Sequence, residues 1–109
     1  MLGEFEYLVI ASASRLGGDA YGASVRQQIE ATTQKGCSIG ALYTTLDRLE
    51  AKGLIRTRMG DATAERGGRA KRVIQVTREG KKAASCFLQT VLHATRGTSW
   101  EMVASGFKR

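Results

Sequence analysis

The chain has 109 residues, 42% of them hydrophobic and 25% charged, which suits one domain with a modest core. Its apolar stretches fall far short of the roughly 20 residues that span a bilayer, and its N-terminus lacks a charged-then-apolar signal pattern, so it reads as cytoplasmic. The formal charge of +7 is uneven, net −1 over residues 1–53 and net +8 over residues 54–109, and points to a polyanion partner, nucleic acid or an anionic membrane surface.

Residues 3–16 place Phe5, Leu8, Val9, Ser12, Ala13 and Leu16 at helical spacing, and Gly17 and Gly18 stop the pattern. A second helix is predicted from residue 22 to about residue 35 through Val25, Gln28 or Ile29, and Thr32, ending at Gly36. In the third, over 38–52, Ile39, Leu42, Leu46 and Leu49 line one face, Ser38 suits the N-cap, and Gly53 stands where a helix C-terminus favours glycine. Residues 54–59 and 72–77 alternate apolar with polar residues around a glycine-bearing loop, which predicts two strands of a hairpin. From residue 78 the helical period returns through Ala84, Phe87, Leu88, Val91 and Leu92, then continues weakly past a bend at Gly97 through Trp100, Val103 and Phe107.

The predicted fold class is therefore mostly α with a small β-hairpin. Residues 1–77 form a winged helix-turn-helix DNA-binding domain, and residues 78–109 a long C-terminal dimerisation helix with a short tail. In that layout the third helix enters the major groove of double-stranded DNA and the hairpin loop touches the flanking backbone.

With Leu42, Leu46 and Leu49 inward, a turn of about 100° per residue sends Gly40, Ala41, Thr44 and Arg48 outward, with Tyr43 and Asp47 at the flanks. Small residues at 40 and 41 let the helix N-terminus, with its unpaired amides and positive dipole end, approach a phosphate. Ser38 and Thr44 can donate to phosphates or base edges, Tyr43 to a phosphate, and Arg48 can reach a phosphate or a guanine. Base-reading chemistry is sparse, so specificity is expected to be shared with DNA shape.

The loop carries Arg66, Arg69, Lys71 and Arg72 beside a turn at Gly67-Gly68, four cations within seven residues, placed to straddle a minor groove or clamp phosphates. On spacing alone, a plain solvated face stays open for Thr44, Arg48 and the loop cations, and a rim position over the core for Tyr43.

Four segments, AYG at 20–22, GALYTTLDRLEAKGLI at 40–55, ERGGRAKR at 65–72 and VTREGKKA at 76–83, together resemble the PadR family of bacterial transcriptional regulators. The resemblance runs in order over about residues 2–95. It implies a winged helix with a C-terminal dimerisation helix, usually in a repressor and sometimes relieved by a small molecule. The family's recognition helix falls on 38–50 and its wing on 60–72. With little beyond residue 96, the chain is similar to the short members with a single C-terminal helix. Ser12 and Ser14, where aliphatics are more usual, and a weakly charged 31–36 segment depart from the family pattern. Both bear on packing, not on the DNA-facing set.

A homodimer is also expected on physical grounds. The stripe of Ala84, Phe87, Leu88, Val91 and Leu92 is too long for a domain of some 75 residues to cover, and a second copy is the simplest cover. Two recognition helices related by a two-fold axis predict an inverted-repeat operator with half-sites roughly 10 bp apart.

The resemblance further implies that a flat aromatic effector could stack on Trp100, although an apolar anchor packing the dimer is the favoured reading of that residue. Cys37 and Cys86 read as free buried or half-buried thiols, with a redox switch at Cys37 the minor alternative. His93 lacks the partners of a catalytic or metal site, so no catalytic residue, metal or cofactor is expected. The chain is not read as an enzyme. The alternatives are an RNA-binding module, for which exposed stacking aromatics are wanting, and a module binding an acidic protein through the same basic face.

Overall fold

Helix α1 (Glu4–Leu16) opens at Gly3, whose backbone N–H donates to Glu6 Oε1 at 2.8 Å, and closes at Gly17 with a φ of 58°. Glu4 and Glu6 in its first turn and Arg15 in its last complement the helix dipole. In the computed structural model, which describes residues 1–60 and 71–101, the other three helices and the hairpin's second strand all pack against α1. Its apolar arc is accordingly wider than the one-sided stripe of the sequence. Val9, Ser12 and Ala13 are buried as expected, but so are Ile10 and Glu6, while Phe5, Leu8 and Leu16 are half-buried.

Helix α2 (Gly22–Thr33) begins where the Tyr21 N–H donates to Ser24 Oγ at 3.0 Å. It ends at Gln34, which takes the left-handed conformation at φ 61°, two residues before the expected Gly36. Val25 and Ile29 are buried, whereas Thr32 is exposed because the core stops one turn earlier. Helix α3 (Ile39–Ala51) has both predicted caps. Ser38 Oγ accepts from the Ala41 N–H at 3.2 Å, and Gly53 has a φ of 76°.

Strands β1 (Ile55–Met59) and β2 (Arg72–Val76) pair antiparallel with Ile55 opposite Val76 and Met59 opposite Arg72. Ile55 and Ile74 point into the core. The far edge of β2 is covered too, since the Ile74 N–H donates to the Ala20 carbonyl at 2.8 Å and Tyr21 bridges Val73. This stitches the segment before α2 to the hairpin and leaves β2 with no open edge there.

Helix α4 (Arg78–Thr95) is capped by Thr77, whose Oγ1 accepts from the Gly80 N–H at 3.0 Å and donates to the Gly53 carbonyl at 2.8 Å. Gly80 is buried flush against the Leu54 carbonyl, with no space for a Cβ. The 18 residues of α4, about 27 Å of helix, run out of the body and draw the molecule to 53 × 27 × 23 Å. The helix expected to continue past a bend at Gly97 instead ends at Thr95, and residues 96–100 form turns in which Gly97 takes a φ of 81° that a helix cannot continue through. Val103 and Phe107, and Arg66, Gly67, Gly68 and Arg69 of the loop, lie outside the described residues. Among the described residues no helix is long and apolar enough to cross a membrane.

Candidate nucleic-acid interface

The turn between α2 and α3 is held by three side-chain and backbone links. Arg26 Nε donates to the Cys37 carbonyl at 2.7 Å, the Cys37 N–H donates to Glu30 Oε2 at 2.8 Å, and Arg26 lies 3.9 Å from Glu30. These links fix the backbone one residue before the Ser38 cap, and so fix where α3 starts. The Cys37 thiol is buried. Burial pushes its pKa up, the Glu30 charge adds to this, and Arg26 only partly offsets it. A thiol kept protonated is a poor nucleophile, which favours packing over a redox switch. Cys86 is exposed rather than buried or half-buried, because its side of α4 faces solvent.

On α3 the predicted rotation holds. Leu42, Thr45, Leu46 and Leu49 are buried, and Ser38, Gly40, Ala41, Tyr43, Thr44, Asp47 and Arg48 are exposed. One inward assignment is corrected: Ile39 is 54% exposed, and Thr45 takes a place on the core side instead. Ile39 lies in the first turn, ahead of the point where α3 meets the body, so helical spacing alone misplaces it.

Tyr43 reaches from α3 to the start of α2, where a Cβ on the buried Gly22 would run into its phenol. The glycine of the AYG segment is thus a close-approach residue, and the Tyr43 hydroxyl is set beside the N-terminus of α2.

The hairpin stem is tied to the C-terminal end of α3 through Glu50. Its carboxylate accepts from Thr57 Oγ1 at 2.9 Å and from Arg72 Nη2 at 3.0 Å, and Asp47 lies 3.6 Å from the same guanidinium. The Thr57 hydroxyl, ahead of Arg72, holds the Glu50 carboxyl below the usual range. Lys71 lies 4.0 Å above the ring of Tyr21. Both stem cations therefore fold back on the body, Arg72 onto the end of α3 and Lys71 onto Tyr21 ahead of α2. Arg56 and Arg58, which sequence reasoning left out of the candidate set, are exposed on β1. Their period-two alternation with Ile55 and Thr57 was the signal for them.

At the other end of the molecule Phe87 stacks on Tyr7 of α1, with ring centroids 4.9 Å apart and an interplanar angle of 25°. Ala84 and Phe87 are half-buried and pack against the chain's own core. Leu88, Val91 and Leu92 remain 43%, 42% and 57% exposed, and Trp100 61% exposed. His93 is exposed, and no cluster of metal-ligating side chains occurs among the described residues.

A capped third helix with a bare outward face, preceded by a clamped turn and followed by a hairpin pinned to its end, defines a winged helix-turn-helix protein. Residues 9–85 match the Transcriptional regulator PadR-like family, and the chain belongs to that family. It is a family of transcriptional regulators, not of enzymes.

Similar solved structures include a transcriptional regulator from Clostridium thermocellum, 20% identical with a TM-score of 0.69, over 95% of this chain and 92% of that one. A PadR-like regulator from Bacillus cereus is 20% identical with a TM-score of 0.66, over 94% of this chain and 85% of that one. Bacillus subtilis PadR in complex with operator DNA is 17% identical with a TM-score of 0.62, over 78% of this chain and 46% of that one. At these identities the likeness is one of fold. No curated protein matches the chain significantly in sequence.

Proposed function

We propose that the chain is a sequence-specific DNA-binding regulator of transcription, a cytoplasmic homodimer that represses from an inverted-repeat operator. The observation that carries this reading is the outward face of α3. Gly40, Ala41, Thr44 and Arg48 take no part in the core, on a helix whose start is capped by Ser38 and whose end is braced against the hairpin. The operator-DNA complex of Bacillus subtilis PadR, a protein of the same fold, supports it.

In this reading α3 lies in the major groove. Ser38, Tyr43, Thr44 and Arg48 contact phosphates or base edges, Arg66 and Arg69 follow the backbone beside it, and Lys71 and Arg72 join them by exchanging their contacts with Tyr21 and Glu50 for phosphate. Residues 1–77 form the DNA-binding part. Residues 78–109 pair two copies through Ala84, Phe87, Leu88, Val91 and Leu92. Exposed Trp100 anchors the pair, and quenching of its fluorescence by flat aromatic compounds would instead identify it as an effector site.

The test is fluorescence anisotropy with duplex from the chain's own upstream region and with a scrambled duplex. Six or more phosphate contacts would cost roughly a thousandfold in affinity between about 50 and 200 mM salt. Native preference that survives the higher salt supports the reading. Equal and wholly salt-sensitive binding would reduce it to nonspecific polyanion binding, and no binding at either salt would overturn it.

A further inference from the structure

The outward face of α3 has few groups that can tell one base pair from another. Asp47 is 3.6 Å from Arg72, the Ser38 hydroxyl accepts from the Ala41 N–H and keeps one proton to donate, which suits a phosphate as well as any base, and the Tyr43 phenol lies over Gly22. Gly40 and Ala41 carry nothing beyond a methyl group. Thr44 and Arg48 remain on that face, and beside it, on the Tyr43 flank at the N-terminal end of α3, one aliphatic side chain is exposed, that of Ile39.

Ile39 is the first residue of α3, is 54% exposed, and is neither in the core cluster nor among the partly buried side chains packed against it. A branched aliphatic more than half exposed here, outside the core cluster, is available to a partner surface. In the docked geometry the N-terminal residues of a recognition helix are the ones that meet base edges. With only Gly40 and Ala41 following it, no bulky side chain in the first turn holds Ile39 off the groove floor. The apolar feature of the major groove is the C5-methyl group of thymine, the mark that separates thymine from cytosine by shape rather than by hydrogen bonding.

We propose that Ile39 is a specificity-determining residue that packs on a thymine C5-methyl group in each half-site. The inference rests on the DNA-binding reading above and adds to it the identity of one base and the side chain that reads it.

The experiment selects duplexes from a random pool with the full chain, then replaces each selected thymine by uracil, which lacks only that methyl group. At one thymine per half-site, uracil should weaken wild-type binding about fourfold, as the loss of one buried methyl group would. Ile39→Ala should bind the thymine and uracil duplexes equally, and Ile39→Val should keep most of the preference. An unchanged urea midpoint for Ile39→Ala checks that the fold is intact, as expected for a side chain outside the core.

Wild-type indifference to uracil at every position, or a full thymine preference retained in Ile39→Ala, would overturn this inference and leave the DNA-binding reading standing. Failure to enrich any duplex would overturn both.

Discussion

Gly80 occupies a place that only glycine fits, since the Leu54 carbonyl lies where a side chain would begin. That carbonyl also accepts from the Thr77 N–H at 3.1 Å, so it cannot retreat without breaking the joint between the hairpin and α4. Gly80→Ala should cost about 3 kcal/mol, in the upper range for overpacking, and a lowered urea midpoint would show it. Glu6 is the buried carboxylate of α1, and Lys52 Nζ lies 3.0 Å from its Oε2. The Gly3 N–H does most to lower its pKa, burial acts the other way, and Lys52 adds to the lowering. A depressed carboxylate stabilises the fold fully above its ordinary value of 4.5, and that stability is lost as pH falls through the lowered folded value. Urea midpoints measured against pH should therefore fall more steeply in the wild type than in Glu6→Gln as pH drops from about 4.5 through the lowered folded value, and curves that stay parallel across that interval would refute the assignment.

At the scale of elements, α3 is a helix whose two faces have separate tasks, so changes on its outward face should leave stability alone. Arg48→Ala should weaken binding about equally for native and scrambled duplexes and reduce the salt slope by roughly one. Loss confined to the native duplex would instead mark Arg48 as a base reader. The elements themselves were legible because their signals are local: the Ser38 cap, the Gly53 terminus and the alternation of β1 and β2 all act within a few residues. Gln34 escaped because a non-glycine residue in the left-handed region is fixed by its surroundings, not by its own preference. Ile39 escaped because periodicity gives direction around an axis but not how far along that axis the core extends. The contact of Tyr43 with Gly22, and the tie from Glu50 to Thr57 and Arg72, join residues distant in sequence. Their types gave no warning that the residues would meet.

The whole molecule consists of a compact head with α4 projecting from it. Leu88, Val91 and Leu92 are the exposed aliphatics of that projection, and each leucine gains about 2 kcal/mol if a second copy covers it. Leu88→Asp together with Leu92→Asp should therefore raise the dimer dissociation constant by at least about a thousandfold. Sedimentation should then show a monomer with an unchanged far-ultraviolet spectrum, and a persistent dimer would place the pairing surface elsewhere.

One detail of α1 links the two ends of this arrangement. Glu6 holds Lys52, the residue that closes α3, and its neighbour Tyr7 holds Phe87 on α4. Adjacent residues on a rigid helix therefore grip the reading head on one side and the projecting arm on the other. In the proposed dimer, the reach between the two α3 helices would be set by a joint two residues wide, like a pair of calipers with its gauge cut into α1.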